Sequence, residues 1–143
     1  MNFQAIKQII RAGIGTTTIL LAGVAMSATL TVKLTFSGAN EVPPVTTAAS
    51  GTGTITVGDD MSVGGSVTTV GIDGTAAHFH TGAAGANGPV TLGLTKTGDG
   101  VWSVPAGAKF TEEQFKTFKA GGMYINVHSA ANKAGEIRAQ VLP

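Results

Sequence analysis

Cysteine is absent from the 143-residue chain, so no disulfide can brace the fold and no thiolate can bind a metal. Charge is also scarce. Charged residues make up 12% of the chain and nearly cancel, leaving a net +1, and the basic ones are scattered rather than gathered in a stripe. That argues against a nucleic-acid partner. There is no Ser-His-Asp arrangement, no carboxylate pair at a plausible spacing, and no phosphate cradle, because no helix opens after the glycine-rich stretch 82–88. Aromatics are sparse, yet apolar residues reach 43%, too many for a disordered chain. What is abundant is glycine, 21 residues, amid runs of Val, Ile and Thr. This composition suits one compact all-β domain with many tight turns.

The first 27 residues follow the order of a secretory signal peptide. Lys7 and Arg11 give a basic start, an apolar stretch runs from Ala12 to Val24, and small residues follow at Ala25, Ser27 and Ala28. The apolar stretch is short of the roughly 20 residues that span a bilayer. The competing reading is a retained membrane anchor. A lipid anchor is disfavoured, since no cysteine can carry it.

Beyond the leader, Leu30, Val32, Leu34 and Phe36 alternate with Thr29, Thr31, Lys33 and Thr35, the period-two pattern of a half-buried strand. Val42-Pro43-Pro44-Val45 breaks the pattern into an extended loop. Further strands are expected over 51–57, 61–70, 76–80, 90–94, 101–104, 123–129 and 136–142, with turns at Gly58-Asp59-Asp60 and Thr97–Gly100. One helix interrupts them near Glu112–Ala120. Thr111 and Gln114 have capping-box spacing, Phe110, Phe115 and Phe118 lie toward one side, and Gly121-Gly122 can end it.

All three histidines fall in two of these strands. In Ala77-His78-Phe79-His80, residues two apart share a face, so His78 and His80 project together while Ala77 and Phe79 turn to the core. In Met123–His128, Met123, Ile125 and Val127 form the apolar face and Tyr124, Asn126 and His128 the polar one. His78, His80 and His128 are therefore candidate ligands of a surface metal site. Imidazole suits copper, zinc or nickel. Asn126 shares the face of His128 and is a candidate to orient a ligand ring. In Glu136–Gln140 the polar face carries Arg138, with a surface ion pair to Glu136 as its plainest role and a place beside the metal as the alternative. Glu41, next to the proline loop, reads as structural.

Four segments in order resemble the CHRD domain, which is named from chordin and is widespread in exported bacterial proteins. They are Ser37–Val45, Ala77–His80 with Asn87–Val90, Tyr124–Asn132, and Gly135–Gln140. Ala139 stands where that family usually has glycine. The resemblance implies an immunoglobulin-like sandwich and no settled activity. The domain is also similar to the copper/zinc superoxide dismutase sandwich, in which a His-x-His strand and a later histidine bind copper and an arginine guards it. On that likeness His78, His80 and His128 match the copper ligands and Arg138 could match the arginine. The chain departs from it by having no fourth histidine and no cysteine, which removes the zinc site.

The expectation is thus a signal peptide over 1–27 and a CHRD domain over 28–143. The fold is an all-β, immunoglobulin-like or superoxide-dismutase-like antiparallel Greek-key sandwich with one short helix. The protein would be periplasmic or secreted, free of the membrane once the leader is cleaved, and would bind copper, with zinc as the second candidate, for binding, storage or delivery. An extracellular interaction module without metal and a copper-only superoxide dismutase are the alternatives. Mass spectrometry of the exported protein should find its N-terminus between about Met26 and Thr29; intact Met1 on membrane-held protein would support the anchor instead.

Overall fold

The computed structural model describes residues 28–143; the expected leader over 1–27 lies outside them. Nine antiparallel strands and one helix follow in the order β1 (Thr29–Ser37), β2 (Ser50–Gly58), β3 (Val63–Val70), β4 (Gly74–Thr81), β5 (Val90–Gly93), β6 (Thr95–Gly98), β7 (Val101–Ser103), α1 (Glu112–Lys119), β8 (Met123–Ser129) and β9 (Ile137–Val141). The strands form a single sheet of order β5-β4-β8-β9-β1-β2-β3-β7-β6. Its two edge strands, β5 and β6, are consecutive in the chain and joined by Leu94 alone. Leu94 N–H donates to the Ala77 carbonyl at 2.9 Å, and Lys96 Nζ donates to the Gly74 carbonyl at 3.1 Å. The sheet therefore nearly closes on itself, which covers edges that would otherwise be open to other chains. The strand expected over 90–94 ends at Gly93, and β6 forms over Thr95–Gly98, where no strand was expected and a turn had been placed from Thr97; this brings the count to nine.

The alternation read from the sequence sets the core. Val32, Leu34 and Phe36 of β1, Ala77 and Phe79 of β4, Met123, Ile125 and Val127 of β8, and Ile137, Ala139 and Val141 of β9 are all buried. Phe110 and Phe118, flanking and within α1, close the cluster, and Phe79 meets Phe110 edge-to-face at 5.7 Å. The helix is held at both ends. Thr111 and Gln114 form a reciprocal capping box. At the other end Gly121, at φ +71°, donates to the Phe118 carbonyl and Gly122 to that of Thr117, the paired bonds of a Schellman turn.

The opposite face differs between the two halves of the sheet. On β1 and β2 it is mostly open, covered by residues such as Thr31, Thr35 and Thr52. On β8 it is buried as well, so that six of seven residues of Met123–Ser129 are inaccessible. The lid over β4, β8 and β9 is made by three loops, residues 38–49, 82–89 and 130–136. Replacing Phe79 by Ala should destabilise the domain by about 3–5 kcal/mol, whereas Thr52→Ala on the open face should change stability by less than about 0.5 kcal/mol, both read from denaturant unfolding.

Candidate metal centre

Strands β4 and β8 are neighbours, in a register that pairs His78 with Asn126, His80 with Tyr124, and Ala76 with His128. Strand β9 lies on the other side of β8, with Arg138 opposite Asn126 and Gln140 opposite Tyr124. Two rows therefore cross the sheet, His78–Asn126–Arg138 and His80–Tyr124–Gln140. The three histidines converge, one donor atom from each lying within 4.8 Å of the others.

Their rings are held by backbone carbonyls. His80 Nδ1–H donates to the Gly88 carbonyl at 2.9 Å, and His128 Nδ1–H donates to the Lys133 carbonyl at 2.9 Å. A carbonyl only accepts, so in the neutral rings the free lone pair of each is on Nε2. His78 Nδ1 lies 3.0 Å from His128 Nε2. Since that Nε2 accepts, His78 carries its proton on Nδ1 in the metal-free pair, and moving it to Nε2 frees Nδ1 as a ligand. His80 Nε2 is buried and has no partner at all. An orphaned imidazole lone pair facing two further imidazole donors fits a metal ion, and fits the nitrogen-binding metals rather than calcium or magnesium.

The face is more covered than expected, although His78 and His128 stay partly exposed. His80 is 7% exposed and Asn126 2%. Arg138 is the clearest correction. It makes no ion pair with Glu136 and is 1% exposed. Its guanidinium donates to the Ala83 carbonyl at 2.9 Å, to Gln140 Oε1 at 3.2 Å and to Asn87 Oδ1 at 3.4 Å. It also lies 3.4 Å from the centroid of the Tyr124 ring, whose other partner is His80, stacked at 4.8 Å and nearly parallel. Glu136 turns elsewhere, accepting from Thr47 Oγ1 at 2.7 Å and from Ser129 Oγ. These two hydroxyls hold its carboxyl below the usual carboxylate range. Two residues on one strand share a face only while both belong to the strand, and Glu136 precedes β9.

Glu41 was read as structural, and its environment is more specific than that. It is 5% exposed and lies beside Asn126, with Arg138 supplying a nearby positive charge. Burial raises its pKa, opposed by Arg138 and by the Asn126 amide. Asn87 was missed as a site residue: its amide donates to the Val42 carbonyl at 2.7 Å and its oxygen faces Arg138, so it joins two of the three loops. Its place in a motif segment was the signal available. The carbonyls of Gly88 and Lys133 had none, since every residue carries one.

Compared with known families, residues 27–141 match the CHRD domain. The chain belongs to the CHRD family. Comparisons with curated proteins and with solved structures give no match. The four CHRD segments, far apart in the chain, meet at this one place: Glu41 from the first, His78, His80 and Asn87 from the second, Tyr124, Asn126 and His128 from the third, Arg138 and Gln140 from the fourth. Among the described residues no helix is long and apolar enough to cross a membrane.

Burial lowers the pKa of His78, with the charges of His128 and His80 acting the same way; burial also lowers that of His80, against the bond to Gly88. The folded state then binds protons less readily than the unfolded chain, whose histidines titrate near 6.5. Native stability from this source is therefore complete above that pH and declines as pH falls through 6.5 toward the folded values. Thermal unfolding of the metal-free CHRD domain should show a midpoint that drops between pH 7 and pH 5, and the drop should be shallower in a His78→Ala/His80→Ala double variant.

Proposed function

We propose that this CHRD protein is exported and binds copper through His78 Nδ1, His80 Nε2 and His128 Nε2, for binding, storage or delivery of the metal. The observation that carries the reading is the convergence of three imidazoles, two of them fixed in the ligating tautomer by carbonyls, on a place where the Nε2 lone pair of His80 has no partner. Such preorganisation lowers the cost of assembling the ligands around an ion.

The ring separations leave room for copper or zinc, and the affinity order favours copper. With metal–nitrogen distances of about 2.0–2.1 Å, two ligands at a right angle stand about 2.9 Å apart and two at the tetrahedral angle about 3.3 Å. His78 Nδ1 and His128 Nε2 are 3.0 Å apart. That spacing is the length of the hydrogen bond between the two rings and is already near what either metal needs. Copper stands at the top of the divalent affinity order. The resemblance of the His-x-His strand and the later histidine to the copper ligands of the superoxide dismutase sandwich favours the same metal. The missing fourth histidine favours binding over dismutation. Export follows from the basic, apolar and small-residue order of residues 1–27.

A copper titration of the wild type and of the three single His→Ala variants tests the proposal. Each substitution should weaken binding at least tenfold, a loss of about 1.4 kcal/mol or more, and bound copper should raise the unfolding midpoint, because the ion binds the native arrangement in preference to the unfolded chain. If the wild type holds copper and zinc no better than a variant lacking all three histidines, the reading fails and an extracellular interaction module takes its place.

A further inference from the structure

Among the described residues five buried side-chain polar atoms lack a hydrogen-bond partner, and three of them belong to one neighbourhood: His80 Nε2, Asn126 Oδ1 and Glu41 Oε1. Buried polar atoms are rarely left unpaired, so a cluster of three needs a cause. Asn126 stands on the histidine-bearing face, opposite His78 across the strands, with the His80 pair as the next on that face. Its orientation follows from its other neighbours. Nδ2 donates to the Ala134 carbonyl at 3.3 Å and lies on the side of the Glu41 carboxyl, and both of these are acceptors. The donor end of the amide therefore faces them, and Oδ1 faces His80.

The consequence is a pair of buried acceptors, His80 Nε2 and Asn126 Oδ1, neither of which has a donor. His80 cannot donate from Nε2 while its single proton is on Nδ1, bonded to Gly88. Asn126 cannot turn its amide without opposing its oxygen to Glu41 and Ala134. A cation placed between them satisfies both. Asn126 is well located for this, since it pairs directly across the strands with His78 and lies two residues before His128 on the same face.

Resting on the copper reading above, we infer that Asn126 Oδ1 is a fourth, axial ligand of the bound ion, presented by Glu41. A neutral carbonyl-type oxygen is a known weak axial donor to copper, and the axial donor tunes the reduction potential. Glu41 is a positioning residue here: its buried carboxyl, on the side of the amide nitrogen, holds the donor end of Asn126 toward itself and so turns the oxygen toward the metal. Gly135 makes the approach feasible. Its φ is +137°, and a β-carbon there would collide with both Asn126 Nδ2 and Glu41 Oε1.

The test uses the copper-loaded protein with Asn126→Leu, which removes the oxygen at similar volume, and Asn126→Asp, which keeps the shape and replaces the amide by a carboxylate. Circular dichroism of the metal-free variants reports folding; if the Leu variant does not fold, the Asp variant decides. Asn126→Leu should still bind through the three histidines, with Cu²⁺ affinity roughly tenfold weaker, an altered parallel hyperfine splitting in the electron paramagnetic resonance spectrum, and a raised Cu²⁺/Cu⁺ potential. Asn126→Asp should shift the spectrum differently and lower the potential. A purely structural asparagine would leave spectrum and potential unchanged in every variant that folds. Wild-type affinity, spectrum and potential in the Asn126 variants, alongside lost binding in His78→Ala, overturn the axial oxygen and leave the three-histidine site intact. Absence of copper binding in the wild type overturns both.

Discussion

The candidate site depends on a buried cation. Arg138 is almost wholly removed from water, and such a charge is tolerated only when its donors are matched and a counter-charge is near. Ala83, Asn87 and Gln140 take its hydrogen bonds, Tyr124 covers one face of the guanidinium, and Glu41 supplies negative charge. Each of these contacts also fastens something else. Ala83 and Asn87 belong to the loop whose Gly88 carbonyl orients His80. Tyr124 lies between Arg138 and the His80 ring. Asn87 ties that loop to Val42, next to Glu41. Thus one guanidinium joins the sheet floor, two of its covering loops and a histidine ring into a single packed unit.

This explains how a polar face of a sheet can be interior. Strand alternation always yields two faces, and on β1 and β2 the second face meets water. On β4, β8 and β9 the second face is covered by loops that cannot contribute an apolar core, because they must satisfy their own backbone groups. Polar side chains on the strands do this. Gln140 donates to the Gly82 and Gly121 carbonyls, Arg138 to that of Ala83, and the two histidines to those of Gly88 and Lys133. The same bonds that satisfy the loops fix the imidazole tautomers, so loop anchoring and ligand orientation are one arrangement.

The CHRD segments take on a physical meaning in this light. They are dispersed over about a hundred residues, yet each delivers a piece of the covered face: the 38–45 loop with Glu41, the His-x-His strand with the loop after it, the Tyr-x-Asn-x-His strand, and the Arg-x-Gln strand. Glycines within them serve close approach. A β-carbon on Gly82 would meet the Tyr124 ring at 2.8 Å, and one on Gly135 would displace Asn126 and Glu41.

By itself the sequence determined eight of the nine strands, all but β6, the helix with both of its ends, and the division of β4 and β8 into an apolar face and a histidine-bearing face. These are local properties, set by period-two alternation and by capping residues that act over three or four positions. The grouping of His78 with His80 was legible for the same reason. Only the tertiary structure decided that β8 lies beside β4, bringing His128 within reach, and that loops cover the polar face. The closing of the sheet at Leu94 was decided there too, since it depends on strand order and not on any residue type. The pairing of Arg138 with Glu136 failed because two residues in sequence compete poorly with partners brought in from a distance: Thr47 and Ser129 claimed the carboxylate, while Ala83, Asn87 and Tyr124 claimed the guanidinium. A hydrogen bond to a backbone carbonyl leaves no trace in side-chain identity. For that reason the orientation of the histidine rings was written in the fold and not in the pattern of residues.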